Sequence, residues 1–274
     1  MVKIYTDTNI LRYFGEAFAT KSIPPELKLQ LLLAPLSMLE LLSQLGTDGA
    51  ESAFAAIKAL PRVHNPAGTG VLPWTDNFFG MCLFNLLPGE DIAITSINNA
   101  INRVLNASSA AELRAEGEEM RVLLDAGKND AASKFADLLN SVKAEGKIAP
   151  DEDRRIFARS IAHRAGIDPE SVDVPFVLTH LDAHYLFEQQ RINAAIENAA
   201  YNIQKRANDV YDAELLIYLA DPSLHLLTCD TGFGRVGNSS QANRIHILPA
   251  DTVRDPDKAV AALQSIIALA APSA

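Results

Sequence analysis

Cysteine is scarce: Cys82 and Cys229 are the two in 274 residues. That is too few for a disulfide framework and fits a reducing interior. Residues 1 to 20 lack a basic start and a long apolar core, so no secretory leader is expected. Nowhere do about 18 apolar residues follow one another, so no membrane span is expected. The expected home is the cytoplasm. Positive charge is also in deficit, with 24 Lys and Arg against 34 Asp and Glu and a formal net charge of −10. This balance argues against a protein that simply coats nucleic acid through a basic face. It leaves room for an acidic pocket that reaches phosphate through a bound cation. Internal repeats and low-complexity linkers are missing as well. What is present is apolar: 48% of the residues are hydrophobic. That suffices to bury a core in one large domain or two small ones, and it argues against disorder.

The two ends of the chain alternate strand and helix signals. Residues 2–6 predict a short buried strand that stops at Thr6-Asp7-Thr8-Asn9, with Thr8 or Asn9 capping the helix that follows. "LKLQLLLAP" (27–35) is ambiguous between strand and helix. Pro35 would break a helix running through it, so a second strand is expected to end near Ala34. Ser37 and Glu40 then have the S-x-x-E spacing of a capping box, and Gly46 is a natural helix stop. A short helix over 50–60 and a brief strand within 68–74 complete this part.

From about Asp76 to Tyr201 the texture is rich in Ala, Leu, Asn and Glu at helical spacing. Helices are expected over 107–127 (capped by Ser108 or Ser109), 129–147 and 150–166, and over 179–207 as one helix or two. A helix over 208–221, strands over 224–228 and 244–248 and a closing helix over 255–270 restore the alternation. Such alternation implies an α/β fold, a parallel sheet with helices on its faces. The expected organisation is a discontinuous α/β domain, 1–75 plus 201–274, carrying an all-helical insertion or cap over 76–200.

Four acids stand out by position. Asp7 follows the first strand, Glu40 lies in the helix after the second, Asp212 lies in the helix before "LHLLT", and Asp230 comes two residues after it. In an open parallel sheet the carboxyl ends of the strands share one edge, where ligands bind. No Lys or Arg lies within three residues of Asp7, Glu40 or Asp212. Four carboxylates gathered there would repel, and an oxygen-preferring divalent cation, Mg²⁺ or Mn²⁺, would relieve the repulsion. Each acid alone also has a plain structural reading: a turn or cap for Asp7, the partner of Ser37 for Glu40, a solvated helix residue for Asp212, a turn with Gly232 for Asp230.

Taken together and in order, "YTDTNIL", "SMLELL", "NDVYDAELLIYLA" and "LLTCDTGF" resemble the PIN-domain ribonucleases. Asp7, Glu40, Asp212 and Asp230 fall on the four acidic positions, Ala213 and Ala220 repeat the helix pattern, and Thr228 and Phe233 repeat the final one. The resemblance covers roughly residues 1–75 and 201–250. It implies a PIN-like parallel sheet and metal-dependent endonucleolytic cleavage of RNA, with one or two Mg²⁺ or Mn²⁺ held by Asp7, Asp212 and Asp230. Glu40 would be a ligand or an orienter of water. Asn9 and Thr228 resemble supporting partners of these acids, and Asp209, one turn before Asp212, is a candidate fifth acid. Lys205, Arg206 and Arg235 are candidates for touching RNA phosphates. The distance from Glu40 to Asp212 in the chain departs from a compact PIN domain, and the helical block fills it. An inhibitory protein partner and self-association are both left open.

Two rival readings remain. One is a PIN-like scaffold that binds RNA or a protein without cutting. The other, ranked lower, is a haloacid-dehalogenase-like phosphatase, but Asn9 stands where that family's second Asp belongs. Three further signals are set aside. His180 and His184 in "HLDAH" have a zinc-compatible spacing but no evident third ligand. "TGFGRVG" follows no phosphate-loop pattern, and Cys229 lacks an evident partner His.

Overall fold

The computed structural model describes residues 2–64, 70–87, 92–145, 149–198, 201–203 and 206–270. Most of them are helical, and four short strands form one sheet. The chain opens with β1 (Lys3–Thr6), α1 (Thr8–Ala17), the one-turn α2 (Pro25–Lys28) and β2 (Leu31–Leu33). The ambiguous run over 27–35 thus divides between the end of α2 and a three-residue strand. Pro35 does not end an element there: it occupies the first turn of α3 (Pro35–Ser43), where its missing N–H costs nothing. The cap position of α3 is Ala34, not Ser37, so the expected capping box does not form. Ser37 donates instead to the Thr6 carbonyl at 2.9 Å, which ties α3 to the end of β1.

Next come α4 (Ala50–Val63), α5 (Thr75–Phe84) and α6 (Ile92–Asn106). The strand expected within 68–74 is reduced to an isolated bridge between Val71 and Leu33; its residues 68 and 69 lie outside the described residues. The two helices expected over 107–127 and 129–147 are one, α7 (Arg114–Glu145), preceded by a 3-10 turn (Ala110–Leu113). Gly127 and Asn129 break the helical pattern of the sequence but not the helix, because packing outweighs a propensity cost of about 1 kcal/mol. Residues 146 and 147 lie outside the described residues. Then follow α8 (Pro150–Arg164), α9 (Val174–His180) and α10 (Asp182–Glu197). Of the segment expected over 179–207 as one helix or two, α10 and the end of α9 are helical up to Glu197; its residues 199, 200, 204 and 205 lie outside the described residues.

The chain ends in α11 (Asn208–Ile217), β3 (Leu224–Thr228), β4 (Ile245–Ile247), α12 (Ala250–Arg254) and α13 (Pro256–Leu269). All strand pairs are parallel, in the order β2-β1-β3-β4. β3 is buried at every residue, as a central parallel strand covered on both faces must be. Helices of the 76–200 block join the apolar core that lies on the sheet. Phe187, Ile161 and Val177 pack in one cluster with Tyr5 and Leu226, and Ile97, Ala100 and Leu113 share another with Leu33 and Met38. Among the described residues no helix is long and apolar enough to cross a membrane.

The seating of α7 depends on a glycine contact. Gly117 meets the backbone of Leu45 and Gly46 so closely that a Cβ there would strike the Gly46 nitrogen. Gly46, expected from the sequence to end a helix, also provides the room for this approach. On an open helix surface Gly→Ala would stabilise by about 1 kcal/mol. Here Gly117→Ala is expected to destabilise by about 1–3 kcal/mol through overpacking, lowering Tm by roughly 3–10 °C. A thermal melt followed by circular dichroism checks it, and a raised Tm would mean that α7 is not seated on this turn.

Candidate carboxylate site

The strand order creates a place for a ligand. From β1 the chain moves to one side to make β2, and it returns on the other side of β1 as β3. In such a sheet the crevice at the carboxyl ends, where the winding reverses, is the usual binding position. Asp7 directly follows β1, and Asp230 stands two residues beyond β3.

Asp7 is 6% exposed. It is itself the cap of α1, in place of the expected Thr8 or Asn9: its Oδ1 accepts the Ile10 N–H at 2.8 Å. Its Oδ2 accepts the Thr228 hydroxyl. The Thr228 oxygen in turn accepts the Asp230 N–H at 2.9 Å, so one fully buried hydroxyl links the two strand-end acids. The Asp230 carboxylate accepts the Gly232 N–H and caps the 3-10 turn Thr231–Val236. Burial pushes the Asp7 carboxyl up to about 6; the bonds from Thr228 and Ile10 work against this, and repulsion from Asp230 and Glu40 adds to it.

Glu40 lies in the second turn of α3, where it accepts the Thr8 hydroxyl. Asp212, on α11, is held protonated furthest, up to about 8. Burial is the main cause, followed by repulsion from Asp230, Glu40, Asp209 and Asp7. The structure therefore brings all four sequence-selected acids and Asp209 into one electrostatic neighbourhood. Nearness is not yet a ligand set: among the described residues no three His, Cys, Asp or Glu side chains are grouped so that they could hold a metal ion. Four of the five acids are turned onto protein donors: Asp7 onto Ile10 and Thr228, Asp230 onto Gly232, Glu40 onto Thr8, Asp209 onto arginines. The donor chemistry, carboxylate oxygen throughout, suits Mg²⁺ or Mn²⁺.

Of the supporting residues, Thr228 bonds Asp7 directly, whereas Asn9 is exposed and the side chain of that turn reaching the acids is Thr8. Asp209 is 8% exposed and pairs with Arg235 at 3.4 Å and Arg206 at 3.8 Å. Lys205 lies outside the described residues. His180 and His184 each engage a backbone carbonyl through Nδ1, at 2.9 and 2.8 Å, as packing residues do. Burial pushes the Cys229 thiol up to about 11, which leaves it protonated and a poor nucleophile at neutral pH.

Lys128 was invisible to the sequence reading. Its ammonium, on α7, lies 3.8 Å from Glu40 and 5.5 Å from the centre of the Tyr211 ring. The same stretch of α7 is fastened to α11 by the Tyr211 hydroxyl, which donates to the Leu124 carbonyl at 3.1 Å. Leu124, Gly127 and Lys128 share one helix face by their i, i+3, i+4 spacing, which is the signal that could have found this surface. The acids' partner in sequence is thus absent, but the helical block supplies one in space.

No protein-family model matches the chain, and no curated protein or solved structure does.

Proposed function

We propose that the chain is a metal-dependent endoribonuclease of PIN-like type. The observation that carries this reading is the raised Asp212 carboxyl, surrounded by Asp7, Glu40, Asp209 and Asp230 at the carboxyl edge where the sheet reverses its winding. Buried like charges raise the free energy of the folded state and are characteristic of functional sites. Asp7, Asp212 and Asp230 would hold Mg²⁺ or Mn²⁺, with Glu40 as a further ligand or a guide for water. Bound there, the ion would activate water and stabilise charge on the scissile phosphate. Thr228 keeps Asp7 and Asp230 in register. The test is incubation of labelled RNA with the purified chain in Mn²⁺ and in EDTA. Metal-dependent products are expected, and cleavage that persists in Asp7→Asn at the wild-type rate would sink the reading.

A second reading, a PIN-like module that binds RNA or a protein without cutting, is favoured by one observation. Lys128 already places a cation on Glu40, and no ready ligand set accompanies it. The two readings part at Lys128→Met. If an ion and the ammonium compete for Glu40, removing the ammonium tightens Mn²⁺ binding. The pair is partly exposed, so the gain is about 0.2–1 kcal/mol, or up to roughly fivefold in affinity. Calorimetric titration with Mn²⁺ measures it. Absence of Mn²⁺ binding in both proteins would favour the silent module.

A further inference from the structure

Beside the acids lies a second feature of opposite character. A cavity of about 440 Å³ is lined by Arg191 and Gln190 of α10, by Tyr201 and Arg206, and by Arg235 and Asp209. Three arginines thus line one space, and Asp209 belongs both to it and to the carboxylate neighbourhood. Two of them, Arg206 and Arg235, share the single charge of Asp209. The third, Arg191, is 4% exposed, ion-paired with Glu188 and stacked 4.4 Å from the centre of the Phe135 ring. Glu197 also lines the space but is open to solvent.

On two of the lining residues a polar atom shielded from solvent has no hydrogen-bond partner among the described residues: the Arg191 Nε and the Tyr201 hydroxyl. A buried donor left unpaired is costly, and an arginine has five N–H groups to satisfy. Arginines lining one space suit an anion with several acceptor oxygens, and a phosphodiester matches the planar guanidinium fork.

We propose that this cavity is a phosphodiester subsite that holds the RNA backbone beside the carboxylate site, with Arg191, Arg206 and Arg235 as its anchors. The proposal rests on the ribonuclease reading for the identity of the strand and adds where that strand lies. Arg206 and Arg235 were candidates from the sequence; Arg191 comes from the helical block, which therefore contributes to substrate binding as well as covering the sheet. Asp209 has a defined part here. It holds two arginines at the boundary between the cavity and the acidic site.

The test is fluorescence anisotropy of a short single-stranded RNA on the full chain in EDTA, titrated with KCl. Arg206→Ala and Arg235→Ala, both at partly exposed positions, are each expected to weaken binding about three- to tenfold and to lower the salt slope by about 0.7, the contribution of one single-strand phosphate contact. Arg191→Lys keeps the charge and loses the fork. It is expected to weaken binding with the slope unchanged, and an unaltered thermal melt excludes a folding defect. Wild-type affinity and slope in all three variants would overturn the proposal. So would equal affinity for an uncharged methylphosphonate backbone, or displacement by polyglutamate as effective as by unlabelled RNA, which would mark an acidic-peptide site. If the variants lose RNA binding as expected while the wild type cuts no RNA in Mn²⁺, the subsite stands and the ribonuclease reading falls.

Discussion

Asp7→Asn is expected to abolish metal-dependent RNA cleavage while making the fold more stable at neutral pH. Both halves follow from the same burial. An ion held by Asp7 would supply several kcal/mol of charge stabilisation in the transition state. At 1.36 kcal/mol per tenfold in rate, its loss lowers cleavage by about a thousandfold. For the fold, the carboxyl pushed from 3.8 to about 6 is held ionised at pH 7 against its surroundings. That shift corresponds to roughly 3 kcal/mol of destabilisation. Asn removes the charge and caps a helix as well as Asp does. It can still accept the Ile10 N–H and present its amide to the Thr228 oxygen, which has a second lone pair to offer. Allowing for one rearranged hydrogen bond, a net gain of about 1–2 kcal/mol is expected, or roughly 3–6 °C in Tm. Cleavage assays and thermal melts on one preparation test both. Unchanged cleavage would remove Asp7 from the site. Lost cleavage with a lowered Tm would show that Asp7 is needed for the fold, and the loss of cleavage would then carry no weight. Inactivity with increased stability is the pattern of a residue kept at a cost to the fold.

The parts of this arrangement legible in the sequence were those encoded locally. The buried "LHLLT" run, the strand end at Thr6 and the order of the acids placed Asp7 and Asp230 on one edge, and β1 and β3 are parallel neighbours. Side-chain roles within the first turns were harder, because neighbouring polar residues compete for the same backbone groups. Asp7, not Thr8, captured the Ile10 N–H, which freed Thr8 for Glu40. Pro35 entered the first turn of α3, which shifted Ser37 inward to the Thr6 carbonyl. Least legible were contacts whose partners are far apart in the chain. Lys128 reads as one charge among many on a polar helix, and Arg191 reads as a solvated one. Only the tertiary path of α7, fixed by Gly117 against Gly46 and by Leu124 under Tyr211, brings Lys128 to the acids and Phe135 under Arg191. The same helix therefore contacts Glu40 at the carboxylate edge and Arg191, one of the residues lining the arginine cavity.

Stability should fall as pH rises from 6.5 to 8.5, and Mn²⁺ should reverse the fall. Asp212 holds its proton up to about 8 in the folded chain but loses it near 3.8 when unfolded. The folded state therefore binds more protons across that window, and stability declines with rising pH through it. Asp7 contributes the same sign up to about 6. Below 6.5 the decline is masked. Burial holds His64 down to about 3 and His225 down to about 4, so these rings charge more readily when unfolded, and stability there rises with pH. Glu214 and Asp255, both lowered from their ordinary values, have their stabilising effect in place above about 4.5. Between 6.5 and 8.5 Asp212 is the group whose folded-state titration falls inside the window; the lowered His64, His225 and His246 oppose it only near 6.5, and the raised thiols add to the fall only as pH nears their ordinary 9.0. The residual shift, discounted for partial exposure, is worth about 1 kcal/mol, or roughly 2–4 °C in Tm. A divalent ion held by the proposed site would bind the ionised carboxylates of the folded chain and not the unfolded chain. At a hundred times its dissociation constant it adds about 2.7 kcal/mol, enough to raise Tm at pH 8 by roughly 5–10 °C. Melts in EDTA and in Mn²⁺ across this range measure both effects. In Asp212→Asn the slope should vanish and most of the Mn²⁺ effect with it. A slope that survives that substitution would assign the titration to another group, and a Mn²⁺ effect that survives it would place the ion away from α11.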